Sequence, residues 1–273
     1  MPAIKDWLNE ATSQLIAKGI GTAKLDSEII LAHTLRRSRT YLHAHDDEPL
    51  EPREIEIANA RLDLRLDRVP IAYIIGHKEF YGRLFHVTPS VLIPRPESET
   101  LIDELSQLIN QLPAQTPPRL IDVGTGSGCL GITAKLEFPQ LDVTLIDTSR
   151  PALNVATRNA VQLGATVQCL KSNLLDEYPF SASVILANLP YVDSEWERSP
   201  ETEHEPTIAL FAEQHGLALI DKLIPQAAAA LTKGGFLILE ADPVQHATII
   251  ERADAHGFRL VHRSGYTLSL RAN

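Results

Sequence analysis

The stretch RLIDVGTGSGCLGITAKLE, residues 119–137, decides the fold that this sequence predicts. It begins as a continuous apolar strand, passes through the glycine-rich loop DVGTGSG (residues 122–128) and continues as an apolar helix. A glycine loop between a strand and a helix lets the backbone approach a ligand at the helix N-terminus, where unpaired N–H groups point outward. The stretch therefore predicts the first strand and helix of a ligand-binding α/β domain.

The sequence after this loop alternates between strands and helices. Four further apolar runs are typical of buried strands: LDVTLID (141–147), TVQCLKS (166–172), SVILANLP (183–190) and GFLILEA (235–241). Helical sequence follows the first of these runs and precedes the last. This alternation predicts a parallel sheet with helices on both faces. The chain ends in FRLVHRS and TLSLRAN, which predict an antiparallel hairpin turning at Ser264-Gly265. Seven strands in this arrangement predict a Rossmann-like class I methyltransferase sheet.

Two different kinds of sequence precede this domain. Residues 1–70 show apolar residues at helical spacing and no chemical motif, which predicts a small helical bundle. Residues 71–96 contain the β-like runs IAYIIG and RLFHVTPSVLIP, which predict a β-hairpin linker, and the methyltransferase domain is expected over 97–273. The bundle is either a packing cap or a substrate-recognition domain; we adopt the second as the working assignment.

Composition restricts the classes of function. The 273 residues carry a formal charge of −10, and this acidic field opposes nucleic-acid binding and favours a protein or small-molecule substrate. The two cysteines, Cys129 and Cys169, show no CxxC spacing, which suits a reducing compartment. The start MPAIKDWLNE is unlike a signal peptide, and no run of about 18 apolar residues is present. We expect a cytoplasmic protein without a metal site.

The glycine loop and the next strand predict the cofactor. Asp147 ends that strand, 21 residues after Gly126, where a carboxylate can accept hydrogen bonds from both ribose hydroxyls of a nucleotide. This spacing suits NAD as well as S-adenosylmethionine. Asp122 at the start of the loop distinguishes them, because it would repel a pyrophosphate and attract the cationic methionine end of S-adenosylmethionine.

The tetrapeptide Asn188-Leu189-Pro190-Tyr191 follows the strand SVILANLP. Ligands of open parallel sheets bind outside the carboxyl ends of the strands. The side-chain oxygen of Asn188 and the carbonyl of Pro190 can both accept from an NH2 group, and Tyr191 can pack on its planar carrier. We therefore predict Asn188, Pro190 and Tyr191 as catalytic residues, with Leu189 also contacting the substrate.

Six segments together resemble the release factor glutamine methyltransferases, over essentially the whole chain beyond about residue 25. They are GHKEF (76–80), VLIPRPESE (91–99), DVGTGSG, NLPY, HEPTIALFAEQHGL (204–217) and GGFLILEA (234–241). The resemblance implies transfer of a methyl group from S-adenosylmethionine to the side-chain amide nitrogen of the glutamine in the Gly-Gly-Gln loop of class I release factors. It also implies a protein partner without direct nucleic-acid contact, and we expect a monomer. The expected cofactor contacts are Asp122, Gly124, Thr125, Gly126, Ser127, Gly128, Asp147, Asn173, Leu174 and Asn188.

Three positions depart from the family pattern. Leu189 stands where the family has proline, and Asn173 stands where it has an acid after the third strand. The C-terminal RSGYTLSL (263–270) replaces a segment of acids and arginine. We expect function to survive Leu189, because Pro190 and Tyr191 keep their positions.

Three alternatives remain at this point. Asn-Leu-Pro-Tyr is also a form found in ribosomal RNA adenine dimethyltransferases, so an adenine-N6 methyltransferase of RNA or DNA is one. A glutamine methyltransferase of a ribosomal protein would share nearly all of these residues. A non-enzymatic binding module would keep the glycine loop without the tetrapeptide, so NLPY argues against it.

Overall fold

The chain divides into two units. A computed structural model describes residues 1–113, 117–193, 196, 199–210 and 212–273. One unit comprises Met1–Gly76 with Ser199–His204, and the other comprises His77–Arg198 with Glu205–Asn273.

The first unit is helical. Its helices are α1 (Ile4–Ala17), α2 (Ala23–Leu35), α3 (Arg39–Ala44), α4 (Pro52–Leu66) and α5 (Ile71–Ile75). Apolar side chains from these helices form one core, in which Trp7, Leu15 and Ile30 are buried. The buried guanidinium of Arg65 donates to Asp26 at 2.7 Å and to Glu201 at 3.0 Å. The second ion pair explains why the segment 199–204 belongs to the helical unit.

The prediction of a β-like run at IAYIIG is wrong. Residues Ile71–Ile75 form α5, which contacts α2 and α4 and ends where Gly76 adopts the left-handed conformation at φ +76°. Packing on neighbouring helices has overridden the β preference of the three isoleucines, Ile71, Ile74 and Ile75. The predicted domain boundary at residue 70 consequently falls inside a unit that extends to Gly76. The hairpin itself is formed by β1 (His77–Phe80) and β2 (Arg83–His86), so the later part of RLFHVTPSVLIP is not strand.

A mixed sheet is the centre of the second unit. Its seven strands are β3 (Arg119–Val123), β4 (Asp142–Asp147), β5 (Gln168–Lys171), β6 (Ala182–Ala187), β7 (Leu231–Glu240), β8 (Phe258–Ser264) and β9 (Thr267–Ala272). They lie in the order β5-β4-β3-β6-β7-β9-β8. Neighbours from β5 to β7 are parallel, while β9 is antiparallel to both β7 and β8. The predicted Rossmann-like methyltransferase sheet with a C-terminal antiparallel hairpin is confirmed.

Helices cover both faces of this sheet. They are α6 (Glu99–Leu108), α7 (Cys129–Glu137), α8 (Arg150–Leu163), α9 (Ala218–Ala230) and α10 (His246–Asp254). Residues of α6, α7 and α8 share one hydrophobic core with the sheet, and residues of α9 and α10 share the other. Within the described residues, no helix has the length and apolar character needed to span a bilayer.

Candidate active site

The carboxyl ends of four neighbouring parallel strands meet along one edge of the sheet. The glycine loop follows β3, Asp147 ends β4, Asn188 follows β6 and Glu240 ends β7. Ala187 pairs with Leu239, so Asn188 and Glu240 are the next residues along two adjacent strands. This edge is where open α/β sheets bind their ligands.

A cavity of about 300 Å³ lies at this edge. Of the residues predicted from the sequence, its wall includes Gly124, Thr125, Gly126, Ser127, Asp147, Asn173, Leu174, Asn188, Leu189 and Pro190. The structure thus brings the predicted cofactor loop and most of the predicted acceptor tetrapeptide to one cavity. Asp122, Gly128 and Tyr191 do not line it.

Asp122 lies beneath the glycine loop. Its Oδ2 accepts from the hydroxyl of Thr125 at 2.5 Å and from the backbone N–H of Gly131 at 2.9 Å. Its Oδ1 is buried and has no hydrogen-bond partner among the residues that the structure describes. Burial raises the pKa of this carboxyl to about 6. Asp122 therefore holds the loop in shape and retains one unsatisfied acceptor, which suits a nearby cationic ligand. Direct contact with the cofactor stays a prediction.

The loop glycines have distinct structural roles. Gly124 has φ +72°, and a Cβ on it would lie 2.8 Å from Leu189 Cδ2, so the loop and the tetrapeptide are in close contact. Gly128 has φ +83°, and a Cβ there would lie 2.6 Å from Ile132 Cδ1. Gly128 is therefore required for the packing of α7, and it does not line the cavity.

Asp147 and Asn173 line the cavity. The Asp147 carboxylate accepts from the N–H of Gly126 at 3.0 Å and from the N–H of Ser149 at 2.8 Å, and burial raises its pKa. Asn173 donates its Nδ2 to Asp176 at 3.2 Å, which leaves its side-chain oxygen as the acceptor end of the group. These positions fit ribose hydroxyls and an adenine amino group respectively, and both contacts remain predictions.

The tetrapeptide is tied to a buried carboxylate. Asn188 Nδ2 donates to Ser98 Oγ at 2.8 Å and to Glu240 Oε2 at 3.0 Å. The hydroxyl of Tyr191 donates to Glu240 Oε1 at 2.8 Å, while its ring packs against the core. Burial and the adjacent Glu240 raise the pKa of Tyr191 above its usual range, so the phenol stays protonated. Packing of Tyr191 on a substrate stays a prediction.

Sequence reasoning missed four residues of this edge, namely Ser98, Glu240, Arg95 and Glu205. Glu205, buried, accepts from Arg95 Nη2 at 2.5 Å and from the backbone N–H of Ile93 at 3.2 Å. This contact joins the segments VLIPRPESE and HEPTIALF, which both supply cavity wall. A polar residue at the carboxyl end of a buried strand is a usable signal for Glu240. The other three lie in the family-like segments VLIPRPESE and HEPTIALFAEQHGL, but nothing in those segments indicates which of their residues reach the cavity edge.

Two family descriptions match the chain: the PrmC N-terminal domain over residues 6–76 and the methyltransferase small domain over residues 98–205. The release factor glutamine methyltransferase of Koribacter versatilis is 36% identical over 251 residues, which is 88% of this chain and 89% of that protein. The enzyme of the same name from Deinococcus radiodurans is 32% identical over 97% of this chain and 95% of its own length. The release factor glutamine methyltransferase of Escherichia coli K12 is 35% identical over 86% of this chain and 84% of its own length.

Solved structures support the fold. A methyltransferase from Pyrococcus furiosus superposes with a TM-score of 0.52 at 20% identity, covering 78% of this chain and 96% of that chain. The Thermus thermophilus 16S rRNA N2 G1207 methyltransferase, solved with AdoMet and guanosine, superposes with a TM-score of 0.54 at 16% identity. The superposition covers 72% of this chain and 49% of that chain. At this identity the likeness concerns the fold alone.

Proposed function

The chain belongs to the release factor glutamine methyltransferases, and from that premise we propose that it methylates the side-chain amide nitrogen, N5, of the Gly-Gly-Gln glutamine of class I peptide chain release factors. The cofactor is S-adenosylmethionine and the product S-adenosylhomocysteine. The observation that carries the proposal is the position of Asn188, which lines the same cavity as the glycine loop. An acceptor nitrogen and a methyl donor can therefore meet in one cavity.

The residues present fit this cofactor. Asp122 Oδ1 is a buried acceptor without a partner among the described residues, next to a loop whose backbone lines the cavity. Asp147 and Asn173 line that cavity and carry further acceptors, suited to hydroxyls and to an amino group. When bound, S-adenosylmethionine supplies a methyl group that is already activated for displacement.

The protein orients the nucleophile. A carboxamide nitrogen is weakly nucleophilic because its lone pair is delocalised into the carbonyl. The oxygen of Asn188, accepting from one substrate N–H, aligns that nitrogen and stabilises the positive charge that develops on it as the N–C bond forms. The Pro190 carbonyl is the second acceptor that we propose. The surplus proton then leaves to water, so no side chain is needed as a general base.

Tyr191 and Glu240 do not act as bases in this scheme. The Tyr191 hydroxyl is committed to Glu240, and Glu240 is buried and absent from the cavity wall. We further propose that the protein acts as a monomer in the cytoplasm and contacts no nucleic acid directly. The formal charge of −10 supports the last point.

The test is a methylation assay on a purified class I release factor, with RNA as the competing substrate. Mass spectrometry should place one methyl group on the glutamine of the Gly-Gly-Gln peptide. Transfer to RNA with a steep loss at higher salt, and none to the release factor, would instead identify an adenine methyltransferase.

A further inference from the structure

The carboxamide of Asn188 is held at its nitrogen end. Its NH2 group has two hydrogens, and the structure gives each an acceptor, Ser98 Oγ at 2.8 Å and Glu240 Oε2 at 3.0 Å. The only remaining polar atom of the group is Oδ1. Asn188 lines the cavity, and its oxygen is the end of the carboxamide that these two hydrogen bonds do not occupy.

Glu240 is itself fixed by three donors. Its carboxylate accepts from Asn188 and Tyr191 and hydrogen-bonds to the hydroxyl of Ser98. It is 2% exposed and stands outside the cavity wall, so it acts on a substrate through the side chains that it binds, of which Asn188 and Ser98 line the cavity. Glu240 and Ser98 lie 52 and 90 residues from Asn188 in the sequence, in elements that the sheet brings together.

We propose that Glu240 and Ser98 are positioning residues that hold the Asn188 carboxamide with its oxygen toward the acceptor nitrogen of the substrate. This inference rests on the proposed function. A carboxylate can only accept, so turning the carboxamide over would place Asn188 Oδ1 against Glu240 Oε2 and present an NH2 group to the substrate NH2. Misplacing this contact should lower kcat roughly 10- to 100-fold, the loss that corresponds to one hydrogen bond to a charged group.

A double-variant cycle tests the orientation. Glu240→Gln replaces one acceptor oxygen with a donor, so the Asn188 carboxamide is no longer restricted to one orientation, and kcat should fall about 10- to 100-fold with KM for the release factor within twofold. Asn188→Asp alone places two carboxylates side by side, and its kcat should fall at least as far. In the double variant, the amide introduced at position 240 donates to the carboxylate introduced at position 188, whose second oxygen faces the substrate. The kcat of the double variant should recover to at least about tenfold above either single variant.

The state of the Asn188 side chain can be read without any substrate. In nitrogen-15 NMR spectra of the full chain, the two side-chain protons of Asn188 should be separate and slow to exchange with water. In Glu240→Gln they should exchange faster and converge. This readout remains informative if the wild-type protein fails to methylate a release factor, which would defeat the proposed function and not the positioning role.

Two controls separate positioning from stability. Glu104 is as buried as Glu240 and is paired with His262 at 2.8 Å away from the cavity, so Glu104→Gln should lower the melting temperature without changing kcat. If Glu240→Gln does not fold, Ser98→Ala should still lower kcat severalfold and speed proton exchange at Asn188. Wild-type kcat and exchange in both Glu240→Gln and Ser98→Ala, or a double variant whose loss equals the product of the single losses, would overturn the proposal.

Discussion

The oxygen of Asn188 is the acceptor atom on which the proposed methyl transfer depends most directly. Asn188→Ala should reduce kcat by about 100- to 1000-fold, by analogy with the loss of a preorganised oxyanion-hole donor, which costs roughly 2.7–4 kcal/mol. Binding of S-adenosylhomocysteine, measured by calorimetry, should weaken far less than kcat falls, because Asn188 is one of ten predicted cofactor contacts. Full activity in Asn188→Ala would exclude the proposed role.

The matched control is Leu189→Pro, which alters the same tetrapeptide and leaves the Asn188 side chain in place. Leu189 is 4% exposed and packs beneath Gly124, so the shorter ring should lower the free energy of unfolding by about 1–3 kcal/mol. Steady-state kinetics should show kcat unchanged within a few-fold. The departure from the usual family proline thus concerns packing, and a collapse of kcat in Leu189→Pro would show otherwise.

Asp122 couples stability to pH. Its folded-state pKa of about 6 lies above the ordinary 3.8, so the folded chain holds this proton more tightly. The stabilisation is present below pH 4 and is lost as pH rises through 6. Asp122→Asn removes the buried charge and should raise the free energy of unfolding at pH 8 by up to about 3 kcal/mol, with little change at pH 4.

The same variant, Asp122→Asn, should weaken the binding of the cofactor. Without the carboxylate, S-adenosylmethionine loses an anionic neighbour, and its dissociation constant should rise about tenfold or more. Thermal melts at both pH values and calorimetry check the two effects together. An Asp122→Asn protein that is less stable at pH 8 than the wild type would contradict the assigned pKa.

At the scale of elements, the contact of Arg95 and Ile93 with Glu205 holds together the cavity wall on the side away from the strands. Glu205→Ala would leave the buried N–H of Ile93 without an acceptor, at a cost of about 1–3 kcal/mol of unfolding free energy. It should also weaken binding of S-adenosylhomocysteine. Arg95→Ala keeps the Ile93 hydrogen bond but leaves the buried Glu205 carboxylate without its cation, so it should also destabilise the fold, by roughly 3–5 kcal/mol at most. Wild-type stability in Arg95→Ala would show that the backbone contact alone fixes the wall.

Local sequence specified some elements and not others. The bounds of α7 were predicted as the structure has them, since a strand, a glycine loop and an apolar helix are adjacent in the chain. The local sequence of α5 favours β structure, and only packing against α2 and α4 makes it helical; the local pattern predicts no helix at the position of α10. The same division holds in the site. DVGTGSG and NLPY are contiguous motifs, whereas Ser98 and Glu240 reach Asn188 only through the order of strands in the sheet.

At the scale of the whole molecule, the glutamine side chain offers too few atoms to select one protein among many, so we expect the helical unit to supply recognition. Deleting residues 1–70 should leave binding of S-adenosylhomocysteine nearly unchanged and lower kcat/KM sharply for an intact release factor. Activity on a short Gly-Gly-Gln peptide should change little.

A full-length control is needed for that deletion. Glu201 pairs with Arg65 and Arg68, so removing residues 1–70 also releases the segment 199–204. Glu201→Ala breaks these ion pairs and keeps the helices, and it should retain most of the activity on the release factor. If Glu201→Ala loses as much kcat/KM as the deletion, the segment rather than the helical surface is responsible.

The most direct test of the central claim is mass spectrometry of the release factor after incubation with the protein and S-adenosylmethionine, at two salt concentrations and with RNA present. We predict one added methyl group on the glutamine of the Gly-Gly-Gln peptide, absent with Asn188→Ala and little affected by salt. Methylated adenine in the RNA, falling steeply with salt, together with an unmodified Gly-Gly-Gln peptide, would contradict the account.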